Sequence, residues 1–268
     1  MKKLKTYTLA VGEQGVERLR LLNQIYNPYS QSMFKRLKLR EKMNVLTIGC
    51  GIGIMDAWIA SQLAPLNAEI TATDISQEQL TIAKRYADAN KITNIHFATL
   101  DITELNARAE YDLIYTRFTL SHLPNAIDIM KRVKSALKPN GILWCEDMAN
   151  SKVYSIPDNI QVNLAVKLIT DLGVKRGFDA DFGLKLYSSF KALNLKNIEI
   201  NLEQPVVYSH PEKDLLLHSV REVGQQFVDQ DLIAGQELNV LTSKLEDFTK
   251  NERNLMSLTP VFQVIGEV

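Results

Sequence analysis

"VLTIGCGIGIM", residues 45–55, is the stretch on which the reading of this chain turns. Residues 45–48 are apolar or β-branched and run straight into Gly49, Gly51 and Gly53. A short apolar run closed by glycine reads as a buried strand. Glycine lets the backbone turn sharply and leaves no Cβ between main chain and ligand. The next stretch, "IGIMDAWIASQLA" (52–64), reads as a helix that Pro65 ends. The glycines therefore sit between the carboxyl end of a strand and the first turn of a helix. Open α/β sheets bind ligands at that place, and the helix start offers unpaired N–H groups with a partial positive charge. A carboxylate or a phosphate suits it.

The spacing narrows the choice. Dinucleotide binding calls for G-x-G-x-x-G, and the third glycine would fall at Ile54 or at Asp56. An anionic Asp56 in the first helical turn is also a poor neighbour for a pyrophosphate. The nicotinamide reading is disfavoured on both counts.

Outward from this turn, "AEITATDI" (68–75) reads as a second strand ending in Asp74. Its carboxylate is a two-oxygen acceptor suited to a pair of ribose hydroxyls. Ser76 and Gln79 form a capping box for a helix running to about Asn90. "NIHFATLDI" (94–102) ends in Asp101, which can accept from an exocyclic adenine amine, while Ile102 offers a backbone N–H and an apolar wall. The plainer role for Asp101 is a cap before Thr103. A glycine turn and two acids at three successive strand tips describe an adenosine ligand.

"YDLIYTRF" (111–118) is a fourth strand. Ile127, Met130, Val133 and Leu137 mark a helix ending before "KPNG", and "GILWCEDM" (141–148) is a fifth strand. Strands alternating with helices predict a parallel sheet covered on both faces. The rest is less regular: helices at 158–177 and 182–195, a strand in 196–208, helices across 212–254, and strand chemistry again in "LTPVFQVIGEV". Residues 13–38 read as two helices divided by Pro28.

The bulk composition sets limits. Of 268 residues, 46% are hydrophobic and 23% charged, the balance of a soluble globular protein. Lys plus Arg equals Asp plus Glu at 31 each, so no global field favours nucleic acid or an anionic membrane. The basic run Lys35, Arg36, Lys38, Arg40 and Lys42 reads as a solvated helix end. Cys50 and Cys145 lie in strand-like contexts, so a reducing, cytoplasmic location fits better than a disulfide framework. The first fifteen residues lack the long apolar segment of a signal peptide. No His/Cys/Asp/Glu spacing suggests a metal.

With these motifs in place, the chain resembles the class I S-adenosylmethionine-dependent methyltransferases, of the small-molecule type. "VLTIGCGIG" is similar to their first motif, "TATDIS" to their ribose strand and "FATLDI" to their adenine strand. "YDLIYTRFTLSHLPN" and "LKPNGILWCEDM" resemble their fourth and fifth strands, "FQVIGEV" their last strand, and "GVERLRLLNQIYNPYS" their N-terminal lid. The resemblance implies a Rossmann-like, doubly wound α/β fold. Its seven-stranded sheet is mostly parallel with an antiparallel last strand, and helical lid and cap insertions are added. It implies one domain over 1–268, with a lid at 12–40, a cofactor-binding half at 43–148, caps at 150–180 and 209–255, and the last strand at 258–268.

The resemblance further implies S-adenosylmethionine as cofactor, held by Gly49, Cys50, Gly51, Gly53, Asp74, Ile75, Asp101, Ile102, Arg117, Phe118 and, from the lid, Tyr26 with Ser30 beside it. Chemistry would be in-line methyl displacement, achieved mainly by positioning. Candidate bases are His122, Glu146 and Asp147, with His210 and His218 further off in the cap. Tyr154, Phe178, Phe182, Tyr187, Tyr208 and Phe227 are candidates to line an apolar acceptor pocket or to be ordinary core. Expected partners are a small-molecule acceptor, with neither nucleic acid nor membrane, and a homodimer stays open. One departure stands out. The family carries Asp or Glu two residues before the first glycine, where it helps hold the glycine loop and the cofactor's amino end; here that residue is Thr47. This keeps alive a second reading, a non-catalytic S-adenosylmethionine-binding sensor or scaffold.

Overall fold

The structure is a computed structural model and describes residues 15–268. The first three residues of the expected lid, 12–14, and the stretch read for a signal peptide up to residue 14 lie outside the described residues.

The chain opens with α1 (Val16–Phe34) and β1 (Asn44–Ile48), then α2 (Ile54–Leu63), β2 (Glu69–Asp74), α3 (Gln77–Ala89), β3 (Ile95–Thr99), β4 (Tyr111–Arg117), α4 (Ala126–Ala136) and β5 (Leu137–Met148). It continues with β6 (Ser155–Ile156), α5 (Ile160–Arg176), α6 (Gly183–Ala192), β7 (Lys196–Glu203), β8 (Val206–Val207), α7 (Leu215–Asp229), α8 (Gly235–Lys250), β9 (Leu255–Ser257) and β10 (Val261–Glu267).

Seven strands form one sheet in the order β3-β2-β1-β4-β5-β10-β7. β1 to β5 pair in parallel, and β10 enters antiparallel between β5 and β7. Strand order reverses between β1 and β4, which opens a crevice above their carboxyl ends. Neighbouring residues bury on opposite faces. Val45, Leu113 and Ile142 pack with α1 and α2, whereas Leu46, Ile114 and Leu143 pack with α4 and α6. That two-sided burial explains why these strands are continuous apolar runs.

A third apolar cluster lies apart from the sheet. It joins α1, α5, α7 and α8 with β8 and β9. β6, β9 and β8 form a small separate antiparallel sheet that ties this cap to the strand leading into β10.

Three local expectations need correction. α1 is one helix with Pro28 inside it, not two. Proline removes a single N–H, and Asn23, Asn27 and Ser30, on both sides of it, are bonded to one guanidinium described below, which holds the halves in line. The apolar stripe of α4 runs through Ala126, Ile129, Met130, Val133 and Ala136; Ile127 is exposed, and Leu137 already belongs to β5. Only half of the capping box exists. Ser76 Oγ accepts from Gln79 N–H, but the Ser76 N–H donates to Asp74, so Gln79 has nothing to return to. The basic run is paired far from the crevice: Lys38 with Glu267, and Arg40 with Asp112 at the opposite end of the sheet.

Candidate functional site

The three glycines turn out to do different work. All have positive φ, +73°, +54° and +71° in order. A Cβ on Gly49 would lie 2.3 Å from Thr119 Oγ1, and one on Gly53 would lie 2.6 Å from the Ala83 Cβ of α3. Those two permit close packing within the protein. A Cβ on Gly51 would meet nothing within 4 Å. Gly51 alone presents bare backbone to open space, and that space is a cleft of about 210 Å³.

Asp74 fixes the turn. Its Oδ2 accepts from Gly51 N–H at 2.9 Å and its Oδ1 from Ser76 N–H at 2.9 Å. One carboxylate thus locks the glycine loop to the start of α3 while its remaining lone pairs face the cleft. Burial raises its pKa, and these backbone donors oppose that rise. Asp101 spends Oδ1 on the Thr103 N–H and hydroxyl, at 2.9 and 2.7 Å, as the cap of a one-turn helix; Oδ2 carries neither bond.

Asp56 lies across the cleft floor in the first turn of α2, 3% exposed. Burial pushes its carboxyl up to about 6, with Thr47, its own backbone and Arg117 pulling it back. No ion pair reaches it among the described residues. The Thr47 hydroxyl is buried beside it and is the neutral side-chain group that favours its ionised form.

The cap side is pinned through Arg117 at the end of β4. Its Nη1 donates to Ser30 Oγ, and its Nη2 to Asn23 Oδ1 and Asn27 Oδ1, each at 2.9 Å. Behind it Glu146 is 1% exposed and takes four bonds: Ser30 Oγ at 2.5 Å, Tyr115 OH at 3.2 Å, Trp144 Nε1 at 3.1 Å and Gln263 Nε2 at 2.5 Å. Burial raises its pKa against the pull of Arg117 and these donors.

A second cavity, about 120 Å³, adjoins the cleft. Tyr26, Val153, Ile169, Leu172, Phe178 and Leu216 are among its mostly apolar lining. Arg18, Leu22, Phe118, His122 and Met148 face both spaces, so the two share a wall.

A sheet of this order, with a ligand-sized cleft at its switch point, agrees with the comparisons to known proteins. Residues 46–143 match the family model described as a methyltransferase domain.

Over that stretch the chain is similar to a methyltransferase domain.

The ubiquinone biosynthesis O-methyltransferase of Haemophilus ducreyi is 31% identical over 132 residues, covering 47% of this chain and 52% of that protein. The chain thus spans about half the length of this relative. The malonyl-[acyl-carrier protein] O-methyltransferase of Halalkalibacterium halodurans is 24% identical over 70% of this chain and 68% of its own length. Among solved structures, the YcgJ protein from Bacillus subtilis superposes with a TM-score of 0.59 at 16% identity, covering 88% of this chain and 96% of that one, which shows a common fold.

Within the matched stretch, the cleft brings together Gly49, Cys50, Gly51, Asp74, Ile75, Asp101, Ile102, Arg117 and Phe118. Two expected residues fall elsewhere. Gly53 packs on α3 behind the loop, because its role is close helix approach. Tyr26 sits in the second cavity, its OH donating to the Thr259 carbonyl at 2.8 Å and its ring 5.2 Å from Phe118, edge to face. Neither Glu146 nor Asp147 is available as a base. Asp147 is fully buried, accepting from Ser121 N–H at 3.0 Å and Met148 N–H at 2.9 Å, and burial holds it at about 6.

His122 stands on the shared wall, against Phe178 at 5.7 Å between rings. Burial and nearby Arg18 hold its imidazole down at about 4. His210 instead pairs with Asp214 at the surface. Of the six aromatic candidates only Phe178 lines the second cavity. Phe182 and Phe227 are core, and Tyr154, Tyr187 and Tyr208 are exposed. Asp56 and Arg18 are the site residues the sequence reading missed. Asp56 had a signal, an acid inside the glycine-turn helix, but it was read only as hostile to phosphate.

Proposed function

We propose that this chain transfers a methyl group from S-adenosylmethionine to a small-molecule acceptor. The observation that carries the reading is the shared wall: a cleft at the glycine turn, with three carboxylates on its lining, shares Arg18, Leu22, Phe118, His122 and Met148 with a second, more apolar chamber. The first space suits a nucleoside cofactor and the second an acceptor.

The residues fit that cofactor. Gly51 leaves the approach open, Asp74 offers lone pairs to the ribose, and Asp101 offers Oδ2 to an adenine amine. Three carboxylates face the cleft, Asp56, Asp74 and Asp101. They suit a ligand with a sulfonium and an ammonium better than one with a pyrophosphate. When bound, the sulfonium supplies a methyl group already activated for displacement.

The protein's part is to hold two molecules in line and keep water out, which is worth up to about 7–11 kcal/mol in favourable cases. Phe118 and Met148, on the common wall, exclude solvent from the meeting point. His122 is the side chain there that can take a proton from an acceptor that still carries one. Its low basicity keeps it neutral at pH 7. Glu146 and Asp147 position α1 and the turn bearing His122. α1 serves as the lid, and α5, α7 and α8 as the acceptor-side cap. Both cysteines are free, which agrees with a reducing, cytoplasmic setting.

Calorimetric titration of the whole chain with S-adenosylhomocysteine and with NAD tests this. Tight binding of the first and none of the second is expected. Asp74→Ala is expected to weaken S-adenosylhomocysteine by about 10²-fold, the order of two lost charge-assisted hydrogen bonds. Binding of NAD alone, or an unaltered affinity in a folded Asp74→Ala protein, overturns the assignment.

A further inference from the structure

The methyltransferase pattern places an acid at the position of Thr47, and this chain has none there. Thr47 is 1% exposed, and its hydroxyl lies close enough to Asp56 to favour that residue's ionised form. Directly beside it, one turn into α2, lies Asp56.

Its surroundings are unusual for a helix-end acid. An exposed acid in a first helical turn needs no explanation beyond the dipole. Asp56 is instead sealed from bulk solvent, has no cation within ion-pair distance among the described residues, and borders the cleft. A buried carboxylate helped only by a neighbouring hydroxyl and its own main chain, with no cation beside it, is costly unless a positive group pairs with it. The charged groups around it are Asp74, which disfavours its ionisation, and Arg117, which favours it; neutral Cys50 and Tyr115 also lie near. Arg117 is held away by its three bonds to α1. Two of its five N–H donors remain uncommitted.

We infer that Asp56 replaces the missing strand acid as the partner of the cofactor's α-ammonium group, with Arg117 facing the α-carboxylate. The acid has moved from the strand to the helix, and the cleft floor thereby reads the zwitterionic end of an amino acid. This rests on the cofactor assignment above and adds to it which part of the ligand the site discriminates.

The test compares S-adenosylhomocysteine with 5′-methylthioadenosine, which shares the nucleoside and sulfur but lacks the amino-acid end. Titration calorimetry on the full chain reads both. The wild type is expected to prefer S-adenosylhomocysteine by at least about 30-fold, the order expected of a charge-assisted contact. Asp56→Asn is expected to lose at least 10-fold for S-adenosylhomocysteine and to leave methylthioadenosine unchanged. Adding Thr47→Asp to that variant, which restores an acid at the strand position, is expected to recover most of the loss. Equal losses for both ligands in Asp56→Asn, or no loss for either, overturn the inference. So does failure of the double variant to recover binding while it remains folded. If neither ligand binds the wild type, the cofactor reading itself falls, a different outcome from any of these.

Discussion

The two walls of the cleft are held by different kinds of bond. On the sheet side, carboxylates are clamped by main-chain N–H groups: Asp74 by Gly51 and Ser76, Asp101 by Thr103, Asp147 by Ser121 and Met148. On the cap side, long side chains reach across to other side chains: Arg117 to Asn23, Asn27 and Ser30, and Arg18 to Glu222 at 2.9 Å. Backbone clamps move only if the fold moves. Side-chain ties can break one at a time and let a helix swing. On the proposed function, the sheet wall is a fixed template and α1 a removable one, which is what a site admitting two ligands in turn requires.

The sharpest way to break that contrast is Arg117→Ala. It removes three bonds to α1 and the positive charge that opposes protonation of buried Glu146. A loss of about 3–5 kcal/mol is expected, as for other buried charges stripped of compensation. Hydrogen exchange should localise it. Amides of α1 are expected to lose protection while β1, β4 and β5 keep theirs. Uniform loss across the sheet would show that the lid and the template form one cooperative unit.

Asp56 sharpens the contrast from the other side, because the template itself carries a strained group. Its folded-state pKa of about 6 lies above the ordinary 3.8. A raised carboxylate contributes stability that is present below about pH 4 and is lost as pH rises through 6. Without ligand, Asp56→Asn should therefore be more stable than wild type at pH 7–8, by up to about 3 kcal/mol, with the difference shrinking toward pH 4. Denaturant titrations at pH 4.5, 6 and 8 check it. A variant less stable at every pH would make Asp56 a helix-capping residue and not a ligand group.

What could be read from the sequence follows the same division. The strand tips and the glycine turn were legible because their bonds are local or one strand away: Gly51 and Asp74 are 23 residues apart and joined by adjacent strands. Even there, sequence shows that an acid ends a strand but not which of its lone pairs are taken. That is why Glu146 and Asp147 passed as bases. The cap was illegible because its ties are remote. Arg18 and Glu222 are 204 residues apart, and Tyr26 and Thr259 are 233. Helix periodicity says that α5, α7 and α8 have apolar faces, and the cavity arises from where those faces fail to meet. Hence Phe178 borders the cavity while Phe227, with the same pattern, is core.

Tyr26→Phe probes the smallest of these remote ties. The hydroxyl donates to the Thr259 carbonyl, joining α1 to the segment between β9 and β10, and the ring keeps its edge-to-face contact with Phe118 in the variant. Only one neutral hydrogen bond is lost, so a cost of about 1 kcal/mol is expected. Burial has already raised the phenol far above its usual range, so no charge is removed and the change should not depend on pH between 6 and 9. Tyr26 borders the second cavity and not the cleft. S-adenosylhomocysteine affinity is therefore expected to stay within about twofold of wild type, since a hydrogen bond outside its site contributes little to it. A tenfold loss would mean that α1 transmits the state of the apolar chamber to the cleft. The two walls would then act as one device, and the division drawn between a fixed template and a removable lid would fail at its weakest joint.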